Sequence, residues 1–184
     1  TASMDLVGDW NRPLQMATYG PSPPRARGVR QPVEARALVL DNGTTRLALV
    51  SCDLLIMHRQ LRESVLKKLA ETGLSLDGIL LSATHTHTSV GAYIDDPLFE
   101  FYMLGKYDPE WADHLAGRIS GAVTRAAGSL QEARLGCGRA FVTGASYNRR
   151  LGQVTDPELA LVKITDAAGE PLALLANFAG HPIL

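Results

Sequence analysis

Three histidines in this sequence, His85, His87 and His181, are suited to holding a cation or moving a proton, and one arginine, Arg149, to holding an oxyanion. His85 and His87 flank one threonine in LLSATHTHTSVG, residues 80–91, directly after an apolar run. In an extended chain residues i and i+2 point to the same side, so both rings face one cavity if the chain stays β-like through Thr86. Neutral imidazole is the commonest metal ligand, and an H-x-H pair at a strand end places two nitrogens about one cation. The competing reading is two loop histidines hydrogen-bonded to their neighbours, and residue types alone leave both readings open.

Zinc catalysis needs about three protein ligands and an open position for water, so a pair is insufficient. His181 is the best further candidate, because it also follows an apolar run and precedes Pro182. His58 and His114 fall on expected helices, where surface exposure is the expectation. Asp53, at the end of the run RLALVSCDLL, either caps a helix or loop or orients a ligand imidazole through its second nitrogen. Asn148-Arg149-Arg150 lies between two β-rich runs; an arginine fork suits an oxyanion or a carboxylate, although loop arginines are usually solvated.

These residues need a scaffold, and the patterning predicts one of α/β class: a mixed β-sheet with flanking helices, layered, with the metal site at the C-terminal ends of strands. VEARALVL (33–40) and RLALVSCDLL (46–55) read as a hairpin across DNGTT, the second run apolar on both faces and therefore central. Leu61, Val65 and Leu69 recur every four residues in a helix from about His58 to Thr72, with Gly73 at its end. DGILLSAT (77–84) reads as a buried strand that delivers the histidine loop to the sheet edge where α/β proteins usually bind ligands. Asp108-Pro109 opens a second helix whose stripe is Trp111, Leu115, Ile119, Ala122, Val123 and Ala126. ARLGCGRAFV, ELALVKITD and PLALLANFAG are further β-rich runs, the last two joined by DAAGE. LALV after the first hairpin turn returns as LALL after the last, either by composition or as two related hairpins.

The 184 residues, 46% of them apolar, suffice for one core, so a single domain over 1–184 is expected, with residues 1–32 an irregular arm or lid because they are rich in Pro, Gly and Arg. The apolar stop at LLANFAGHPIL suggests a portion of a longer protein. A net charge of -1 gives no electrostatic reason for a nucleic-acid or anionic-membrane partner, which favours a small molecule. No apolar run approaches the ~20 residues of a transmembrane segment, and no signal-peptide pattern opens the chain. Cys52 and Cys137 both sit in apolar segments, where buried free thiols are expected. Thr88-Ser89-Val90 after His87 excludes the H-x-H-x-D-H pattern of metallo-β-lactamases, and no G-x-S-x-G elbow is present. The two expected helices are also too few for an amidohydrolase barrel.

The segments GVRQPVEARALVLDNGTTRLALVSCDLL (28–55), ILLSATHTHTSVGAY (79–93), SYNRR (146–150) and LLANFAGHPIL (174–184) follow the order of motifs in the neutral/alkaline non-lysosomal ceramidases. The chain resembles the N-terminal catalytic portion of that family. The resemblance implies a zinc-dependent hydrolase of a linear amide in sphingolipid metabolism, with His85 and His181 as zinc ligands and His87 beside the metal. It implies that Arg149 of the Asn-Arg motif lies near the scissile amide, with Asn148 and Thr88 as substrate contacts. The remaining ligands, a glutamate and a tyrosine, are implied further along the chain, so this portion alone is expected to be inactive and to hold zinc weakly or not at all. Where the family continues T-H-T-H-S-G-P-G, this chain has Thr88, Ser89, Val90 and Gly91, so added side chains are expected to reshape that wall of the site. The alternative is a non-catalytic domain binding a lipid, glycan or peptide in the same cleft.

Overall fold

A computed structural model describes residues 1–18, 20, 22–150 and 154–181. Tyr19 and Pro21 of the Pro-rich arm, and Pro182 after the last histidine, lie outside the described residues. The chain divides into two compact units, one over Thr1–Leu130 and one beginning at Gln131.

The first unit is built on a sheet in the order β1 (Ala2–Asp5), β2 (Glu34–Asp41), β3 (Arg46–Cys52), β4 (Gly78–Ala83). β1, β2 and β3 are antiparallel neighbours, while β3 and β4 run parallel, with Cys52 opposite Ala83. The β2–β3 hairpin closes where the sequence predicts: Gly43 adopts φ 86°, and the Asn42 side chain accepts from the N–H groups of Thr44 and Thr45. β1 is a correction, because a strand opens the segment expected to be irregular.

α1 (Arg59–Glu71) connects β3 to β4, burying Leu61, Val65 and Leu69 as their spacing requires. Its N-cap is His58, whose Nδ1 accepts from the Gln60 N–H at 3.4 Å. α2 (Pro97–Phe99) is a single turn that runs into a π-helical turn over Glu100–Leu104, neither of them signalled by periodicity. α3 (Pro109–Ala127) begins at Asp108, whose carboxylate accepts from the N–H groups of Glu110 and Trp111 at 3.1 Å each. Its whole predicted stripe is buried, and it packs on β1, β2 and β3 and against α1.

Ala35, Ala37 and Val39 of β2 and Ala48, Val50 and Cys52 of β3 join the core in strict alternation. Among the described residues of the first unit, no helix packs on the opposite face of β3 and β4, where Leu47 is 42% and Leu80 60% exposed. β3 is therefore central within the sheet, as its apolar content predicts, but layered by helices on one face only.

The second unit is a meander of β5 (Arg134–Phe141), β6 (Glu158–Thr165) and β7 (Pro171–Phe178), antiparallel throughout. Its described residues include no helix. All eight residues of β5 are exposed, and Leu174 and Leu175 of β7 are open to solvent, so the run preceding His181 is a strand but not a buried one. Cys137 on β5 is likewise exposed, contrary to its apolar setting in sequence, whereas Cys52 is buried.

Candidate functional site

β4 ends at Ala83, and the backbone turns sharply at His85, whose φ of 60° lies in the left-handed region. That conformation costs a residue with a side chain on the order of 1–3 kcal/mol, and it persists only where surrounding contacts fix it. The extended path expected through Thr86 is therefore replaced by a kink. The two imidazoles nevertheless come side by side, centroids 4.9 Å apart and planes 85° apart.

The contact that fixes His85 is a backbone one. Its Nδ1 lies 2.7 Å from the carbonyl oxygen of Leu55. A carbonyl only accepts, so Nδ1 carries a proton, and in the neutral ring the lone pair is on Nε2. This is the tautomer a metal-ligating histidine uses, and a carbonyl on the far nitrogen is a usual support for one. The Leu55 carbonyl is itself well anchored. Tyr93, 1% exposed, donates its hydroxyl to the Ile56 carbonyl at 2.9 Å, and burial pushes that hydroxyl's pKa well above its ordinary value.

The rest of the histidine loop is clamped from three sides. Ser89 Oγ donates to the Asp53 carbonyl, the Ala17 N–H donates to the Ser89 carbonyl at 2.9 Å, and the Gly91 N–H donates to the Gln15 carbonyl at 2.7 Å. Trp111 Nε1 donates to the Gly91 carbonyl at 2.9 Å, and the Ala92 N–H to the Leu104 carbonyl at 2.7 Å. A Cβ at Gly91 would sit 2.2 Å from the Leu104 oxygen, so no other residue fits there without a backbone shift. Part of the N-terminal arm thus pairs directly with this loop, Met16 bridging Val90.

The Asp53 carboxylate accepts from the Glu34 N–H at 3.1 Å and from Arg36 at 3.0 Å, tying β2 to β3, and the Leu55 carbonyl accepts from the His85 imidazole. Ser89 and Val90 turn their side chains into buried positions, which leaves only Thr88 exposed among the three residues that depart from the family pattern. Thr88 forms a local turn, its N–H donating to Thr86 Oγ1 at 3.4 Å. His114 is no surface group: its Nε2 donates to the Val7 carbonyl at 2.9 Å, and its ring packs between Trp10 and Trp111.

In the second unit a cavity of about 360 Å³ is lined by Asn148, Arg149, Arg150, Asp156 and His181, among others. Asn148 shapes it, its Oδ1 accepting from the Arg150 N–H at 3.0 Å and its Nδ2 donating to the Val154 carbonyl at 3.4 Å. Arg149, Asn148 and His181 thus share one concavity despite their separation in sequence. Sequence reading missed Leu55 and Tyr93 as supports of His85; a carbonyl has no residue-type signal, and Tyr93 stood out only as the end of the motif ILLSATHTHTSVGAY.

Imidazole nitrogen suits transition-metal ions, whereas magnesium and calcium take oxygen ligands, so a metal held by His85 would be of the former kind. Among the described residues no helix is long and apolar enough to cross a membrane.

The model of the neutral/alkaline non-lysosomal ceramidase N-terminal family matches residues 1–183. Neutral ceramidase A of Dictyostelium discoideum is 25% identical over 173 residues, 84% of this chain and 24% of that protein. A neutral ceramidase of Mycobacterium tuberculosis is 29% identical over 141 residues, 73% of this chain and 22% of that one. The crystal structure of neutral ceramidase from Pseudomonas aeruginosa superposes with a TM-score of 0.81 at 22% identity, over 98% of this chain and 31% of the other, a likeness of fold. The chain spans under a third of the length of these relatives. With a family model running from its first residue almost to its last, the chain belongs to the neutral/alkaline non-lysosomal ceramidases, as part of their N-terminal region.

Proposed function

We propose that this chain contributes to a zinc-dependent hydrolase of linear N-acyl amides of the ceramide type. The observation that carries the reading is the Nδ1–H···O=C bond from His85 to Leu55, which supports Nε2 of the neutral ring as the nitrogen available to a metal after β4. Family membership and the curated relatives, which are neutral ceramidases, support the substrate class.

In this reading His85 and His181 hold the metal, and the remaining ligands are the glutamate and tyrosine that the family implies. Zinc bound there supplies an acidified water and a Lewis acid for the amide carbonyl. His87, ring to ring with His85, takes a proton from the attacking water and returns one to the departing amine. Arg149 donates to the carbonyl oxygen as negative charge develops on it. Thr88, the exposed hydroxyl of the loop, and Asn148, at the rim of the cavity, contact substrate.

The test pairs His85→Ala with His85→Asn, since asparagine tolerates the left-handed backbone and separates loss of the ligand from loss of the turn. In the complete protein, with the glutamate and tyrosine present, both variants are expected to lose bound zinc and N-acylsphingosine hydrolysis together while keeping the wild-type circular dichroism spectrum. Unchanged zinc and unchanged turnover in both would refute the proposal. A metal-free wild-type protein that binds N-acyl lipids without cleaving them would point to the binding alternative.

A further inference from the structure

The cavity of the second unit carries more positive charge than cleavage of an uncharged amide requires. Arg149 and Arg150 both line it, against one carboxylate, Asp156. Asp156 Oδ1 is engaged by the Glu158 N–H at 2.9 Å, and the Glu158 carboxylate pairs with Arg139 at 3.5 Å. Among the described residues, neither Arg149 nor Arg150 is in an ion pair.

Arg150 is also placed by its loop. Asn148 accepts from the Arg150 N–H and donates across the loop to Val154, so the backbone on which the guanidinium stands is held from both sides. Arg149 and Arg150 bring two positive charges to one concavity, and an anion bound there would be attracted by both. A planar five-donor fork also matches a carboxylate or phosphate in a way that it does not match a neutral hydroxyl.

We propose that Arg150 is a specificity residue that reads an anionic headgroup, carboxylate or phosphate, so that the site prefers acidic N-acyl amides to uncharged ones. The proposal rests on the amide-hydrolase reading for its substrate class, and its test separates the two. Equilibrium binding is measured for N-lauroylglycine, for its neutral counterpart N-lauroylglycinamide and for N-lauroyl-phosphoethanolamine, all below their micellar concentrations. The wild-type protein is expected to bind an anionic ligand about tenfold more tightly than the carboxamide. The better of the two anions identifies the headgroup chemistry.

Arg150→Ala is expected to bring that ratio close to one, and Arg150→Lys, which keeps the charge and loses the fork, to an intermediate value. A merely structural role would weaken charged and neutral ligands alike; that result, a wild-type ratio near one, or no binding of either anion would overturn the proposal. Hydrolysis of the same compounds is scored separately. Selective binding without cleavage removes the hydrolase reading and leaves the headgroup reading standing, while cleavage without charge preference does the reverse.

Discussion

The first unit buries a continuous apolar core from Leu6 to Ala126, whereas the second contributes only Ile164 to the buried apolar residues described. The histidine loop after β4 is positioned by that core: Leu55, Tyr93 and Trp111 are all nearly inaccessible, the Leu55 carbonyl accepting from His85, Trp111 donating to the Gly91 carbonyl and Tyr93 tying the end of the loop to Ile56. The cavity around Arg149 is instead shaped by side-chain-to-backbone bonds in an exposed loop. Precision comes from packing in one region and from short-range hydrogen bonding in the other, which makes their responses to mutation differ in size.

The sharpest contrast is Trp111→Ala. It removes a fully buried ring and the donor to the Gly91 carbonyl, and is expected to cost about 3–5 kcal/mol in urea unfolding. Gly91→Ala should cost about 1–3 kcal/mol, because the new methyl meets the Leu104 carbonyl and not a side chain that can swing away. The same variant should also weaken metal retention by shifting the loop, which a zinc titration reads.

Cysteine reactivity gives a milder form of the comparison. Burial, and then the charge of Asp53, push the Cys52 thiol up to about 12 from its ordinary 9.0. The folded state therefore holds that proton more tightly than the unfolded one. Its contribution to stability is complete below pH 9 and is lost as pH rises toward 12. Cys52→Ala should flatten this alkaline slope in denaturation midpoints, and iodoacetamide should label Cys137 in the native protein but Cys52 only after unfolding. The smallest effect is expected at Leu174→Ala, 65% exposed on β7, whose unfolding free energy should stay within about 0.5 kcal/mol of wild type. A loss there as large as at Trp111 would erase the contrast.

The elements that were legible in the sequence are those set by local rules. Leu61, Val65 and Leu69 repeat at helical spacing, Asp108-Pro109 is a self-sufficient cap, and Gly43 supplies a turn conformation that few residues adopt. What escaped depends on partners far away in the chain. β1 exists because Ala2–Asp5 pairs with β2 more than 28 residues on, a register that four residues cannot advertise. The kink at His85 is held by a carbonyl 30 residues earlier, which sequence patterning cannot see. The pairing of Asp53 with Arg36 follows from the β2–β3 register, which residue types alone do not announce. Exposure of β5 and β7 was hidden for a related reason, since apolar content predicts a strand's preference for cover and not whether cover is there.

The most direct test is the zinc content of the complete protein, which carries the implied glutamate and tyrosine, compared among wild type, His85→Asn, His181→Ala and the helix-cap control His58→Ala. The proposed centre predicts one zinc per molecule in wild type and in the control, and loss of that zinc in each of the other two. Full zinc occupancy after substitution of either His85 or His181 would contradict it.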